Sequence, residues 1–125
     1  GFDFAKPQNI GRGGIISSEW PAQMIVAYRI LTDHYVFSNE EAKAARYRSK
    51  AAFYMNELLK LLITSPSRTG QGRGCFPYAS ADNVDTGHGW RTPKGRRTGS
   101  LAATAYGVFA YSGHNPFSLG HGKKE

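Results

Sequence analysis

The sequence predicts an all-α fold: helices in two concentric layers, inner ones packed on both sides and outer ones wet on one, joined by a long Gly/Pro-rich loop. Three observations carry this. Residues 20–37, WPAQMIVAYRILTDHYVF, are apolar on most faces of a helix. Residues 39–64 place apolar and charged side chains on opposite faces at helical spacing. Residues 100–112, SLAATAYGVFAYS, carry no charge at all. The 125 residues amount to about one ordinary domain.

Taken in order, residues 1–16 read as irregular, because Gly11, Arg12, Gly13 and Gly14 do not sustain a regular helix. The first helix spans about 18–37. Ser17 or Ser18 is its cap, Glu19 suits its positive end, and Pro21 is tolerated in the first turn. Trp20, Met24, Ala27, Tyr28 and Leu31 mark one stripe, and Ile25, Val26 and Ile30 fill others, so this helix should be largely buried. Ser38 and Glu41 have the spacing of a capping box, which starts the second helix at Asn39. It should run to Thr64, where Ser65-Pro66 stops it. Tyr47, Ala51, Tyr54, Leu58, Leu61 and Leu62 form its apolar side, and Lys43, Arg46, Arg48, Lys50 and Glu57 its wet side. Residues 66–99 hold ten Gly or Pro and read as a long loop. Phe76, Tyr78 and Trp90 argue that it is ordered. The third helix is 100–112, with Gly113 as its C-terminal cap and Pro116 soon after. Three helices cannot cover two buried ones. The expected partners are further helices, from the same longer chain or from another subunit.

Charge and cysteine content narrow the chemistry. Sixteen Lys and Arg against nine Asp and Glu give a formal net charge of +7, which favours anionic partners in general and none in particular. The single cysteine, Cys75, excludes an internal disulfide and is read as buried. No apolar run approaches the roughly 18 residues of a membrane span. Metal-type spacings such as C-x-x-C or H-x-x-x-H are absent, and the glycines at 70, 72 and 74 do not open a helix after a strand. No metal, no cofactor and no membrane partner are expected. The chain begins at Gly1, which fits either removal of a signal peptide or a piece of a longer polypeptide.

The segments 14–31, GIISSEWPAQMIVAYRIL, and 74–117, with GCFPYAS, DTGHGWRTP and TGSLAATAYGVFAYSGHNPF, resemble the C-terminal part of six-hairpin (α/α)6-toroid carbohydrate-active enzymes. The small-residue helix followed by Gly113-His114-Asn115-Pro116-Phe117 is the most telling stretch. The resemblance implies antiparallel helical hairpins, with inner and outer helices of an incomplete toroid. It implies hydrolysis of glycosidic bonds, or elimination across uronic acids, in a cleft at one mouth of the barrel. The localisation it implies is secreted or periplasmic.

Within that frame the catalytic candidates are Glu19, Asp85 and His88. A glycosidase commonly uses two carboxyl groups, and loop folding can bring Asp85 toward Glu19. The helix dipole favours an ionised Glu19, which suits a base better than an acid. His88, between Gly87 and Gly89, can bind a sugar hydroxyl or move a proton. Each has an ordinary structural alternative: a first-turn acid, an Asx turn (shared by Asp82) and a turn histidine. The substrate-binding candidates are Tyr78 and Trp90, as faces for sugar rings, and Arg91, as a carboxylate grip. Trp20 is read as core. Arg91, Lys94, Arg96 and Arg97 form a basic cluster that equally fits a solvated loop. The loop 74–99 is expected to fold over the N-terminal ends of the two buried helices, near Glu19 and Ser100.

Two other functions fit the same residues. A non-catalytic basic module for nucleic acid or an acidic glycan would use Trp90 among its Arg and Lys neighbours, although no nucleic-acid motif is visible. A structural fragment that folds by oligomerising would account for the charge-free last helix.

Overall fold

The computed structural model describes residues 2–65, 74–95 and 98–118. The fold is helical. A single turn, α1 (Pro7–Ile10), is followed by α2 (Glu19–Phe37), α3 (Glu41–Leu59) and α4 (Leu101–Ser112). Among the described residues there is no named strand, only isolated bridges. No helix there is long and apolar enough to cross a membrane.

α2 is the helix on which both others pack. Its buried residues are Pro21, Ala22, Ile25, Val26 and Thr32. Of these, Ala22, Ile25 and Val26 meet Ala51, Met55 and Leu58 of α3 and Ala103 and Ala110 of α4 in one core. The small residues of α4 let the two backbones approach. The face of α2 predicted from Trp20 is therefore rotated: Trp20 is 37% exposed, not core, and Ile25 is fully buried in its place. α4 is buried only along Ala103, Gly107 and Ala110. Its other side, with Leu101, Val108 and Tyr111, is open.

Tyrosines line the seam between α2 and α3. Tyr35 stacks on Tyr47 at 5.5 Å, with the planes 5° apart. Tyr28 lies 5.9 Å from Tyr47 and 5.8 Å from Tyr54, and Phe2 stacks on Tyr54 at 5.7 Å. Lys43 sits over Tyr35, and Lys50 over Tyr28 and Tyr47. Burial, with Tyr54 and Tyr47 alongside, pushes the Tyr28 phenol above its ordinary value.

The link between α2 and α3 differs from the capping box. Ser38 ends α2, and Asn39 takes the left-handed conformation at φ 57°. The Asn39 N–H donates to Val36 O and the Glu40 N–H to Tyr35 O. That is a Schellman closure with Asn in the position usually held by Gly. Ser38 is consumed in stopping one helix and does not start the next. α3 begins at Glu41 with no side-chain cap, and Lys43 pairs with Glu40. The Glu40 partnership raises the Lys43 pKa, by hydrogen bond first and charge second.

α3 also ends before the predicted Thr64. Leu61 and Leu62 donate to carbonyls three residues back, forming tight turns. Ile63 then exchanges hydrogen bonds with the loop: its N–H donates to Cys75 O, and the Gly74 N–H donates to Ile63 O. Helix propensity in Leu-Leu-Lys-Leu-Leu yields to this non-local pairing. Cys75 is partly buried rather than buried.

Candidate functional site

The loop lies against the N-terminal ends of α2 and α4, as expected. The Ser18 N–H donates to Tyr78 O at 3.1 Å, and the Ser80 N–H to Ile16 O at 2.8 Å. On the other side, the Ser100 N–H donates to Phe76 O at 2.8 Å, and the Phe76 N–H donates to Thr104 Oγ1 at 3.1 Å. Ser100 Oγ caps α4 by accepting from the Ala103 N–H. Ser18 holds the cap position of α2 but makes no side-chain cap bond, because its backbone is already helical.

Phe76 anchors the loop. Its buried ring lies on Gly107, where an added Cβ would stand 2.4 Å from Phe76 Cε2. The small residue at 107 is thus a socket for the loop as well as a helix contact.

Residues 84–92 form a narrow finger closed by the Asp85–Arg91 bridge. The Thr92 N–H donates to Val84 O, and Thr86 gives both its N–H and its hydroxyl to Trp90 O. Thr86 and Thr92 are buried in the finger's base. Its tip needs Gly87, which has φ 74° and whose added Cβ would stand 2.5 Å from Ile10 Cγ2.

The N-terminal segment straps this finger down, through residues the sequence did not nominate. Phe4 is buried and meets Trp20 edge-on at 5.5 Å and Trp90 at 5.7 Å. Arg12 Nη1 donates to both oxygens of Asp3 at 2.9 and 3.0 Å, and its Nη2 donates to Asp85 O. The Phe4 and Ile15 amides also donate to Asp3. Burial alone would raise the Asp3 pKa. The Arg12 hydrogen bonds, the two amides and the Arg12 charge outweigh it and hold the carboxyl below its ordinary value. Nothing in the local pattern of 2–12 marks the contacts of Phe4 with Trp90 and of Arg12 with Asp85, which are made across more than seventy residues.

The six candidate residues are divided by this geometry. Asp85, His88, Trp90 and Arg91 share the finger. Asp85 Oδ1 accepts from the Gly87 N–H at 2.8 Å, the Asx-turn alternative. His88 Nε2 lies 2.8 Å from Phe4 O, and since a carbonyl only accepts, this nitrogen carries the proton. Arg91 Nε donates to Asn83 Oδ1 at 3.1 Å and its Nη2 to Asn83 O. Trp90 is 46% exposed beside Phe4. Glu19 sits at the start of α2 and accepts from Gln23 Nε2 at 2.8 Å. No described contact joins its carboxylate to the finger. The two are linked indirectly, since Trp20 and Trp90 both pack edge-on with Phe4.

Tyr78 lies elsewhere. It is 40% exposed on an open groove of about 380 Å³ bounded by Lys60, Leu61, Ser80, Asp82, Pro93 and Thr98. Asp82 there accepts from the Gly95 N–H, again a loop-closing contact. Of the basic cluster, Arg96 and Arg97 lie outside the described residues. Among the described residues no group of three or more His, Cys, Asp or Glu could hold a metal.

Compared with protein families, with curated proteins and with solved structures, the chain has no match.

Proposed function

We propose that the chain is part of a secreted or periplasmic carbohydrate-active enzyme of the six-hairpin (α/α)6-toroid kind, acting on glycosidic bonds of a polysaccharide or oligosaccharide. The observation that carries this is the loop pinned across the starts of α2 and α4, with Tyr78 exposed on a groove of about 380 Å³. A groove of that size takes a sugar ring, and a phenol face with nearby hydroxyls suits one. The opposed course of α2 and α3, with Tyr35 beside Tyr47 and Pro21 beside Leu58, supports an antiparallel hairpin of inner and outer helices. The open side of α4 supports further helices packing there, from a longer chain or another subunit.

In this proposal Tyr78 stacks on the saccharide and Trp90 and Arg91 bind at the finger. Glu19, Asp85 and His88 are the catalytic candidates. The proton on His88 Nε2 is committed to Phe4 O, so proton transfer falls to Nδ1. Asp85 keeps Oδ2 outside its turn bond to Gly87. The test is saccharide binding by calorimetry and release of reducing ends from a panel of neutral and acidic polysaccharides. Tyr78→Ala should weaken binding about tenfold, and Glu19→Gln or Asp85→Asn should abolish turnover with binding kept. Absence of any saccharide binding, or binding indifferent to Tyr78→Ala, would overturn the proposal.

A further inference from the structure

The seam between α2 and α3 has an outward side with a chemistry of its own. Residues 42–56 of α3 contain Lys43, Arg46, Arg48 and Lys50 and no acid. Lys43, Arg46, Lys50 and Phe53 recur at helical spacing and share one face. Arg48 and Glu41 fall on another flank, where Arg48 shares a cleft with Thr32 and Asp33 of α2. Two turns separate Lys43 from Lys50, about 11 Å along the axis. Beside this row lie Tyr28 and Tyr35 of α2 and Tyr47 and Tyr54 of α3.

The charges on this face are mostly uncommitted. Lys43 pairs with Glu40, and at the far end Glu57 is taken by Lys60. Among the described residues Arg46, which is exposed, and Lys50 make no ion pair. Three cations against the one carboxylate of Glu40 leave a surplus of two positive charges. The four phenol hydroxyls make no hydrogen bond among the described residues, and none is closed off from solvent. The face thus presents charge and hydrogen-bonding groups together, both within reach of a ligand.

The geometry selects among polyanions. The ring faces are largely taken: Tyr35 and Tyr47 stack on each other, Phe2 stacks on Tyr54, and lysine ammonium groups lie 5.1 to 5.8 Å over Tyr35, Tyr28 and Tyr47. Single-stranded nucleic acid binds by stacking its bases on free rings, which this face does not supply. Duplex DNA carries one charge per ~1.7 Å of axis, far denser than cations spaced one and two turns apart. A polysaccharide with one carboxylate per sugar matches on both counts. Its carboxylates are sparse enough to meet these cations singly, and its hydroxyls meet the phenols.

We infer that the face of α3 bearing Lys43, Arg46 and Lys50, with the tyrosines of the seam, is a docking surface for a linear uronic-acid polysaccharide, separate from the Tyr78 groove. The cations take carboxylates along the polymer, and the phenols exchange hydrogen bonds with its hydroxyls. The surface holds the polymer and does no chemistry on it.

The probe is polygalacturonate, compared with the same polymer fully methyl-esterified, which removes the charge and keeps the sugars. Binding is read by titration calorimetry in the whole chain and in Tyr78→Ala, where the groove is silenced. In both, polygalacturonate should bind and weaken with rising salt, and in Tyr78→Ala the ester should not bind. Arg46→Met with Lys50→Met should weaken polygalacturonate about tenfold, through loss of two exposed ion pairs. Arg48→Met, on the other flank, should leave it unchanged. Tyr47→Phe keeps the ring and its stack and should weaken it about threefold, through loss of one hydrogen bond. If the double variant fails to fold, Arg46→Glu, at an exposed residue, decides alone. No binding of polygalacturonate, binding lost in Tyr78→Ala, equal binding of the ester there, or affinity kept in the cation variants overturns the surface. Tighter binding of a thymidine oligonucleotide or of duplex DNA overturns it in favour of nucleic acid. Neutral-saccharide binding that depends on Tyr78 should survive the cation variants, so the two proposals fail separately.

Discussion

The finger at 84–92 and the cleft at Arg29 and Arg48 are both polar, yet they use polarity in opposite ways. In the finger, Asp85 closes a turn, Arg91 holds Asn83, and His88 holds Phe4. An irregular backbone must find partners for amides and carbonyls that no helix or sheet satisfies, and the side chains nearest supply them. In the cleft, which lies between α2, α3 and the turn after α4, the helices satisfy their own backbone, and Arg29 is left to face the end of α4 at Gly113. Polar residues in a glycine-rich loop are therefore weak pointers to chemistry, because the loop needs them for itself.

The contrast can be broken at its anchor. Phe76→Ala empties the socket on Gly107 and should cost about 3–5 kcal/mol, in the usual range for a buried phenylalanine. The loop at the start of α4 would then lose its anchor, and chemical denaturation should show it. Gly107→Ala fills the same socket from the other side and should cost about 1–3 kcal/mol by overpacking. A Phe76→Leu background should partly rescue it, and failure of that rescue would place the strain elsewhere. Ser100→Ala removes the only side-chain cap found on α2, α3 or α4 among the described residues, and should cost about 1 kcal/mol.

Acid should sharpen the comparison by acting on the loop end first. The Asp3 carboxyl titrates lower in the folded chain than in the unfolded one. Its contribution is therefore complete above the unfolded value of about 4 and is lost as pH falls through the lower folded value. Trp20 and Trp90 fluorescence should change in that window as the strap releases Phe4, while helical circular dichroism stays constant. Asp3→Asn should remove the transition. The smallest effect is expected at Ser38→Ala, within about 0.5 kcal/mol, since Ser38 makes no cap. A loss of 1 kcal/mol or more would restore the capping box that the spacing predicts.

Local chemistry made much of this legible. Gly113 was readable as a cap because left-handed backbone favours glycine there, and it has φ 74°. The charge-free run 100–112 and the apolar run after Ser18 located α4 and α2 within a residue or two. What escaped was decided at a distance. Ser38 and Glu41 fit two motifs, and Asn39 in the left-handed region chose between them. The end of α3 was set by Cys75, and the burial of α2 by where α4 lies. The finger's candidates were found by residue type, but their partners Phe4 and Arg12 carry no local signal. Arg48 was legible only as a wet-face charge, because nothing in spacing shows which arginines lack a partner.

The row of rings along α2 and α3 has an optical consequence. Phe2, Tyr54, Tyr28, Tyr47 and Tyr35 follow one another at 5.5 to 5.9 Å. At such spacing the transition dipoles of neighbouring phenols couple, and their near-ultraviolet ellipticity depends on mutual orientation. The seam thus carries its own chiral chromophore. A slip of α3 along α2 by one turn would rearrange every pair at once and register as a change of band shape, even where helix content and melting temperature stay the same.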